Sequence, residues 1–294
     1  EAFAFEHWGG ASVSNSGVNT VAFPLSLKNV KTVNVASGTL TLSGVLSGTG
    51  GVTKAGAGTL ALGGNNTHTA GTTINGGTVN VGHINAFGGS ATDNGKIAID
   101  ASGEVITGLG FRLFSVTRPD LGGTNITVNG DALFTNNITM SSLANAVGLG
   151  VGGTGTLTYA GTVNVGTMLG VNNSATFRLV TNASVTATYN TANGCVWVQS
   201  NGTLIVDGGT LTVNGENSDR VGWMGGRLIV NSGTAGFPGR ANTRMLVLAS
   251  YSAPTAAGTL TLNGGLATLN GFHVMAPDTG TSRIEIVAVI GPRN

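Results

Sequence analysis

Charge is scarce in this chain of 294 residues, of which only 9% are Asp, Glu, Lys or Arg, against roughly 25% in an average soluble domain. The formal net charge is +1 and the basic residues are scattered, so the chain lacks the clustered basic face of a nucleic-acid-binding protein. No apolar run approaches the roughly 20 residues of a membrane-spanning helix. We therefore expect no nucleic-acid partner and no transmembrane segment.

Cysteine and proline are also rare, with one cysteine and six prolines. The single Cys195 excludes a disulfide within the chain. It precedes the alternating stretch Val196-Trp197-Val198, and we expect a buried, inert thiol there; an intermolecular bridge is the alternative. Glycine is abundant instead, at 50 residues, but it follows no G-X-Y period, which excludes collagen.

A short sequence motif recurs along the chain: Gly, then Thr or Arg, then Leu or Val, any residue, and again Leu or Val. The apolar pair shares one face of a strand because successive side chains alternate between faces. The first three copies start at 38, 58 and 77. The copies are Gly38–Leu42, Gly58–Leu62, Gly77–Val81, Gly161–Val165, Gly202–Val206, Gly209–Val213, Gly226–Val230 and Gly258–Leu262.

A second phrase precedes the first in the C-terminal half, and its copies begin 20 to 27 residues apart. They are Leu149-Gly150-Val151, Leu169-Gly170-Val171, Val196-Trp197-Val198, Gly222-Trp223-Met224 and Leu246-Val247-Leu248. Each strand is too short to bury its apolar face alone, whereas stacked coils would place Leu over Val over Leu. An interval of this length fits one solenoid coil better than a propeller blade of about 40 residues.

The sequence therefore predicts an all-β fold, a β-solenoid of roughly 11–14 coils. We expect one elongated domain in five stretches. Residues 1–36 form an N-terminal cap and the first coils, 37–84 regular repeats, 85–145 irregular coils with longer loops, 146–282 regular repeats, and 283–294 a C-terminal strand.

Residues 47–82 closely resemble the autotransporter-associated β-strand repeat, also called the passenger-associated transport repeat. The resemblance is carried by Gly51-Val52-Thr53-Lys54, Gly58-Thr59-Leu60, Asn65-Asn66-Thr67 and Gly71-Thr72-Thr73-Ile74. The aromatic residue usual in the family after Asn-Thr is replaced by His68. Outside these 36 residues, the chain matches only the Gly-Thr-Leu phrasing of the family.

The resemblance implies an exported, right-handed parallel β-helix at a bacterial surface or outside the cell. No leader of charged and then apolar residues precedes the repeats, so we expect a signal peptide to have been removed. No C-terminal set of alternating strands of roughly ten residues, as in an outer-membrane barrel, follows them. Either a barrel was removed or this is a stand-alone secreted protein, and the strand-like tail at the end of the sequence favours the second.

Residues suited to catalysis or metal binding are few. Asp207, Glu216 and Asp219, with Arg220 beside them, form the densest acidic group. They could serve a polysaccharide-degrading β-helix enzyme, but solvated turn residues are the expected interpretation. The four histidines have no metal-ligand spacing, and we expect them on the surface or in turns; they are His7, His68, His83 and His273. We expect no enzymatic activity, no cofactor and no metal site.

The two ends of the chain suggest self-association, because a solenoid end exposes strand edges unless it is capped. The leading hypothesis is an extracellular structural protein that joins copies of itself head to tail into a fibre or surface layer. The expected contacts are Phe3, Phe5, Trp8, Ile284, Ile286, Val287, Val289 and Ile290. The alternative is a non-polymerising surface adhesin or passenger module that binds a glycan or receptor through its Thr and Asn faces and the loops of 85–145.

Overall fold

The computed structural model describes residues 13–89, 97–99, 104–108, 111–114, 124–141, 148–165, 168–189, 196–199, 201–215, 220–237, 245–248, 258–269, 272–274 and 283–286. Within these ranges the regular structure is β-strand, and every described strand pairing is parallel. No apolar helix long enough to cross a bilayer occurs in these residues. The all-β, parallel β-solenoid class predicted from the repeats is confirmed, and the right hand remains an expectation from the resemblance.

The chain divides into two compact units, of which the first comprises Glu1–Val116, Asn125–Ala146 and Gly155–Leu157. Its strands are β1 (Val13–Val21), β2 (Leu25–Ser26), β3 (Lys31–Leu42), β4 (Leu46–Ser47), β5 (Val52–Ala55), β6 (Thr59–Leu62), β7 (Thr72–Ile74), β8 (Thr78–Val81), β9 (Ile97–Ile99), β10 (Glu104–Gly108), β11 (Phe111–Phe114), β12 (Ile126–Val128), β13 (Ala132–Phe134) and β14 (Ile138–Ser141).

The second unit comprises Thr117–Thr124, Val147–Thr154 and Thr158–Asn294. Its strands are β15 (Gly148–Gly153), β17 (Thr162–Asn164), β18 (Met168–Val171), β19 (Thr176–Val180), β20 (Ser184–Tyr189), β21 (Val196–Val198), β22 (Thr203–Gly215), β23 (Arg220–Met224), β24 (Arg227–Phe237), β25 (Met245–Leu248), β26 (Thr259–Leu262), β27 (Leu266–Leu269), β28 (Phe272–Val274) and β29 (Arg283–Ile286). Strand β16 (Thr156–Tyr159) is shared between the two units.

Two long ladders of stacked strands run through the first unit, beside the shorter pairings of β2 with β4 and of β11 with β14. One passes through β1, β3, β5, β7, β9 and β12, and the other through β1, β3, β6, β8, β10 and β13. Within the second ladder Leu40 pairs with Leu60, and Leu60 with Val79. All three are buried, so the apolar pairs of the repeated phrase form columns in the core, as the sequence predicts.

Three ladders organise the second unit. The first runs β15, β18, β21, β23, β25 and β28, the second β19, β22, β24, β26 and β29, and the third β17, β20, β22, β24 and β27. In the first ladder Leu149 pairs with Leu169, and Leu169 with Val196. The second sequence phrase therefore predicts this register correctly.

Glycine is required where the chain turns against the coil before it. Gly77 has φ +74°, in the left-handed region that glycine enters without a Cβ penalty. A Cβ on Gly77 would also lie 2.5 Å from the carbonyl oxygen of Gly58. The neighbouring coil leaves no room for a side chain there. The position therefore requires glycine both because the coils stack closely and because of the backbone conformation.

Candidate functional site: a buried polar column and an exposed Thr face

Among the buried polar side chains of the first unit are Lys54, Asn66 and His68, exposed by 0%, 1% and 0%. All three fall within the family-like stretch. Buried polar groups are tolerated only when they are hydrogen-bonded. Their partners lie on other parts of the coil or on neighbouring coils, so this polar column connects successive coils.

Lys54 turns its ammonium group onto backbone carbonyls. Its Nζ donates to the carbonyl oxygens of Ala55 at 3.0 Å, Gly56 at 2.7 Å and Gly76 at 2.9 Å. An ammonium group has three donors, and these three acceptors match them. Gly76 belongs to the coil after that of Lys54, so the side chain ties two coils together through their turns.

Asn66 reaches a coil on each side. Its Oδ1 accepts the backbone N–H of Leu46 at 2.8 Å, and its Nδ2 donates to the carbonyl oxygen of Ala86 at 2.7 Å. Each partner is 20 residues away, one coil in either direction. The side chain thus supplies hydrogen bonds where the corners lack a continuous strand ladder.

His68 is buried, which corrects the expectation of a surface or turn histidine. Its Nε2 is hydrogen-bonded to Oγ1 of Thr72 at 3.2 Å, whereas Nδ1 has no hydrogen-bond partner. Burial lowers the pKa of His68 from 6.5 to about 4, opposed in part by a backbone hydrogen bond with Leu46. The imidazole is therefore neutral at pH 7.

One signal in the sequence could have located the buried lysine. Lys54 lies two residues after the buried Val52, so the strand alternation already directs it inward. No comparable signal marks Asn66 and His68, because they lie in an irregular corner without alternation. Their burial follows from the stacking of the corners, which a single coil does not reveal.

The second unit carries an open, uncharged sheet face on its third ladder. The inward residues of this ladder, including Val163, Val185 and Leu211, are buried. The outward side chains of this ladder from β17 to β24 are half-buried or exposed and are hydroxyls and amides. On β27 the exposed Leu266 follows, paired with Thr234. We call this surface the Thr face; it comprises Thr162, Asn164, Ser184, Thr186, Thr188, Thr210, Thr212, Asn214 and Thr234.

The other two ladders of the second unit present different surfaces. In the first, β15, β18 and β21 are buried on both faces. The second carries charge: Nε of Arg178 donates to Oδ2 of Asp207 at 2.9 Å, and Nη2 of Arg178 forms an ion pair with the same oxygen. The Thr face therefore differs from both in being open and without charge.

Asp207 is the described member of the predicted acidic group. It lies within β22, at the irregularity between the two ladders that this strand joins, and not in a turn after a strand. Its carboxylate is held by Arg178. Glu216 and Asp219 lie outside the described residues, and no group of three possible metal ligands occurs in the described part of the chain.

The predicted assembly contacts are described only in part. Ile284 and Ile286 lie in β29, where they pair with Leu260 and Leu262 of β26. The other predicted contacts lie outside the described residues; these are Phe3, Phe5, Trp8, Val287, Val289 and Ile290. Cys195 also lies outside them.

Comparison with known proteins identifies the repeat. Residues 52–81 match the passenger-associated-transport-repeat family model, so the resemblance noted in the sequence is confirmed and the chain is a β-solenoid that carries this repeat. The chain is also 33% identical over 259 residues to the adhesin BmaC autotransporter of Brucella suis biovar 1 (strain 1330). The match covers 79% of this chain and 7% of that protein. No solved structure matches the chain.

Replacing Lys54 by Met tests the polar column. Met keeps the apolar stem but leaves three carbonyl oxygens without the ammonium group, so we expect a loss of about 2–4 kcal/mol in unfolding free energy. Urea unfolding followed by circular dichroism measures it. Lys28→Met is the matched control, because Lys28 is exposed and such surface changes stay within about 0.5 kcal/mol. Equal midpoints for the two variants would contradict the assigned role of Lys54.

The buried His68 predicts acid sensitivity. Its pKa is lower in the folded chain, about 4, than its ordinary value of 6.5, so protons bind preferentially to the unfolded chain. Stability is full above pH 6.5 and falls as the pH drops towards 4, by on the order of 2–3 kcal/mol. Urea midpoints measured between pH 7 and pH 4 test this.

The variant His68→Phe should lose this part of the pH dependence, whatever its stability at pH 7, because its side chain cannot be protonated. The control variant is His83→Asn, which changes a histidine that is half-buried and should keep the acid-dependent loss. An undiminished pH dependence in His68→Phe would refute the role of His68.

Proposed function

We propose that this chain is a segment of a surface-exposed or secreted bacterial adhesin, without enzymatic activity, that binds a neutral glycan through the Thr face. The observation that carries the proposal is the likeness of 79% of the chain to a protein named as an adhesin autotransporter. The passenger-associated transport repeat at residues 52–81 supports a place outside the cell. Because the match covers 7% of that relative, the binding activity is argued from the surface of this chain.

The chemistry of the Thr face suits a polyhydroxyl ligand. Hydroxyl groups both donate and accept hydrogen bonds, and amides do the same, which matches the groups of a sugar. Thr186 pairs with Thr212 in register, so equivalent groups repeat from one coil to the next. A sheet held by its ladder hydrogen bonds is already ordered, which keeps the entropic cost of binding low.

The charge pattern supports a neutral ligand. Anionic polymers are held mainly by Arg and Lys contacts, and the Thr face has neither. In the neighbouring ladder, Arg178 is paired with the carboxylate of Asp207. This pairing also argues against the alternative of a polysaccharide-degrading enzyme, because the carboxylate is engaged by an arginine.

Binding of the purified chain to an array of neutral and acidic glycans tests the proposal. We expect saturable binding to neutral glycans, with about tenfold weaker affinity in the double variant Thr186→Val/Thr212→Val. Valine removes the hydroxyl groups and suits a strand equally well. The control is Thr59→Val/Thr78→Val, another pair of half-buried threonines in register, in the first unit. Absence of binding, or an equal loss in both double variants, would refute the Thr face as the binding surface.

Head-to-tail association is the second candidate function, and the C-terminal strand favours it. Strand β29 pairs with β26, and with no other strand among the described residues. An unpaired strand edge can accept a strand from another chain. The predicted contacts are Phe3, Phe5 and Trp8 at one end and Ile284, Ile286, Val287, Val289 and Ile290 at the other.

Removing residues 284–290 tests this second candidate. The expected result is a folded monomer, while the full chain forms filaments at rising concentration in negative-stain electron microscopy. Removal of residues 291–294 is the control and should leave association unchanged. Isolated rods of the full chain at every concentration, or unchanged filaments after the 284–290 deletion, would contradict this assembly.

A further inference from the structure

The Thr face arranges its side chains in columns that cross the coils. In the first column Ser184 pairs with Thr210, Thr210 with Thr234, and Thr234 with Leu266. Paired strands lie about 4.8 Å apart, so the column presents one outward side chain at each step from β20 to β27. The register shift in the pairing of β22 with β24 lies between Asp207 and Thr210 and does not interrupt this column.

A second column runs beside the first on the same four strands. Thr186 pairs with Thr212, Thr212 with Gly236, and Gly236 with Thr268. Two residues along a strand separate the columns by about 6.6 Å, and three strand spacings extend them over about 14 Å. We call the two columns together the double column; it is about twice as long across the coils as it is wide.

Backbone contacts beside the first column fix the step from one coil to the next. Gly233 immediately precedes Thr234, and a Cβ on Gly233 would collide with the carbonyl oxygen of Gly209. A Cβ on Gly265 would lie 2.5 Å from Cγ1 of Val230 and 3.1 Å from the carbonyl oxygen of Gly233. The coils therefore stack closely at this border, and the spacing of the double column is set before a ligand binds.

The second column has a gap at Gly236, because glycine adds no side chain between Thr212 and Thr268. Thr234 lies two residues earlier on the same strand, and its partner Leu266 is exposed by 60%. The gap is thus a shallow hollow edged by hydroxyl groups and one apolar side chain. A pyranose ring has hydroxyl groups on its rim and C–H groups on its faces, so it can use both kinds of contact.

We propose that the ligand of the Thr face is a linear, extended neutral polysaccharide that lies along the double column, across the strands from β20 to β27. This inference rests on the proposed glycan binding and adds the ligand class, which is the interior of a polymer and not a terminal sugar. Extended chains of β-linked pyranoses advance per sugar by a distance close to one strand spacing. Successive sugars therefore meet equivalent side chains, and one of them lies over Gly236.

The open sheet explains why a polymer is favoured over a single sugar. A flat face cannot surround a chain end, so each sugar gains only a few hydrogen bonds. Several such contacts made at once raise the affinity well above that of one contact. Because the columns are already in register, the protein pays little ordering entropy for each further sugar.

The dependence of affinity on ligand length tests the proposal. The probes are soluble β-1,4-linked oligomers of glucose, mannose and xylose, from one to about six sugars, titrated into the purified chain by calorimetry. In at least one series we expect the affinity to rise about tenfold or more between the disaccharide and the tetrasaccharide. It should level off beyond the length of the double column, which spans four strands.

The variant Gly236→Ile tests the direction in which the ligand lies. Isoleucine suits a strand but fills the hollow, so the gain from disaccharide to tetrasaccharide should shrink about tenfold, to the level of a shorter chain. The matched control is Thr261→Ile, which adds the same side chain at a half-buried position of the neighbouring second ladder. This control should keep the full length dependence, and circular dichroism checks the fold of both variants.

The outcomes separate this inference from the proposed glycan binding. Neutral glycans that bind on the array, with equal affinity for disaccharide and tetrasaccharide or no binding in all three series, would refute the polymer and leave the glycan-binding face. A length dependence unchanged by Gly236→Ile would refute the alignment along the double column. Absence of binding to any glycan on the array would overturn both proposals.

Discussion

Parallel, in-register stacking is the constraint on which the rest of this structure depends. Each coil has short strands with one apolar face, and such a strand buries that face only against the coils beside it. The alternation of apolar and polar side chains then fixes the register of the strands, because a slip by one residue would turn every Leu and Val to the outside. The columns Leu40–Leu60–Val79 and Leu149–Leu169–Val196 are the result. Stability in such a stack accumulates from neighbour to neighbour, so interactions that cross coil boundaries matter most.

The buried polar side chains connect neighbouring coils at the corners, where the strands end. Corners between strands have backbone groups without a continuous ladder, and unsatisfied buried groups are costly. Lys54 covers three carbonyl oxygens of two coils, and Asn66 joins the coils before and after its own. His68 is buried as a neutral ring beside Thr72, at the cost of sensitivity to acid. These three residues explain physically why the repeat retains polar positions inside an otherwise apolar core.

The sequence is sufficient to predict the strands and their register, and insufficient for the corners. Alternation with a period of two is a local property, so the phrase beginning at Leu149 can be aligned with those at Leu169 and Val196 from the residues alone. Burial of His68 depends instead on the corners stacked around it, which are about 20 residues away along the chain. The ion pair of Arg178 with Asp207 cannot be predicted from the sequence for the same reason, since its members are 29 residues apart. The sequence predicts that Thr and Asn side chains are exposed on the strands. Which of them lie together on one ladder as the Thr face is known only from the strand pairing in the structure.

Under the proposed function, the ligand binds to a sheet face of the solenoid and not to an end of the stack. A flat face repeats its groups along the coils, and its affinity for a repeating ligand grows with the number of groups engaged at once. A chain with so few charges has little electrostatic repulsion to keep copies apart, so the low charge that suits the Thr face to the proposed neutral ligand also favours the proposed head-to-tail association.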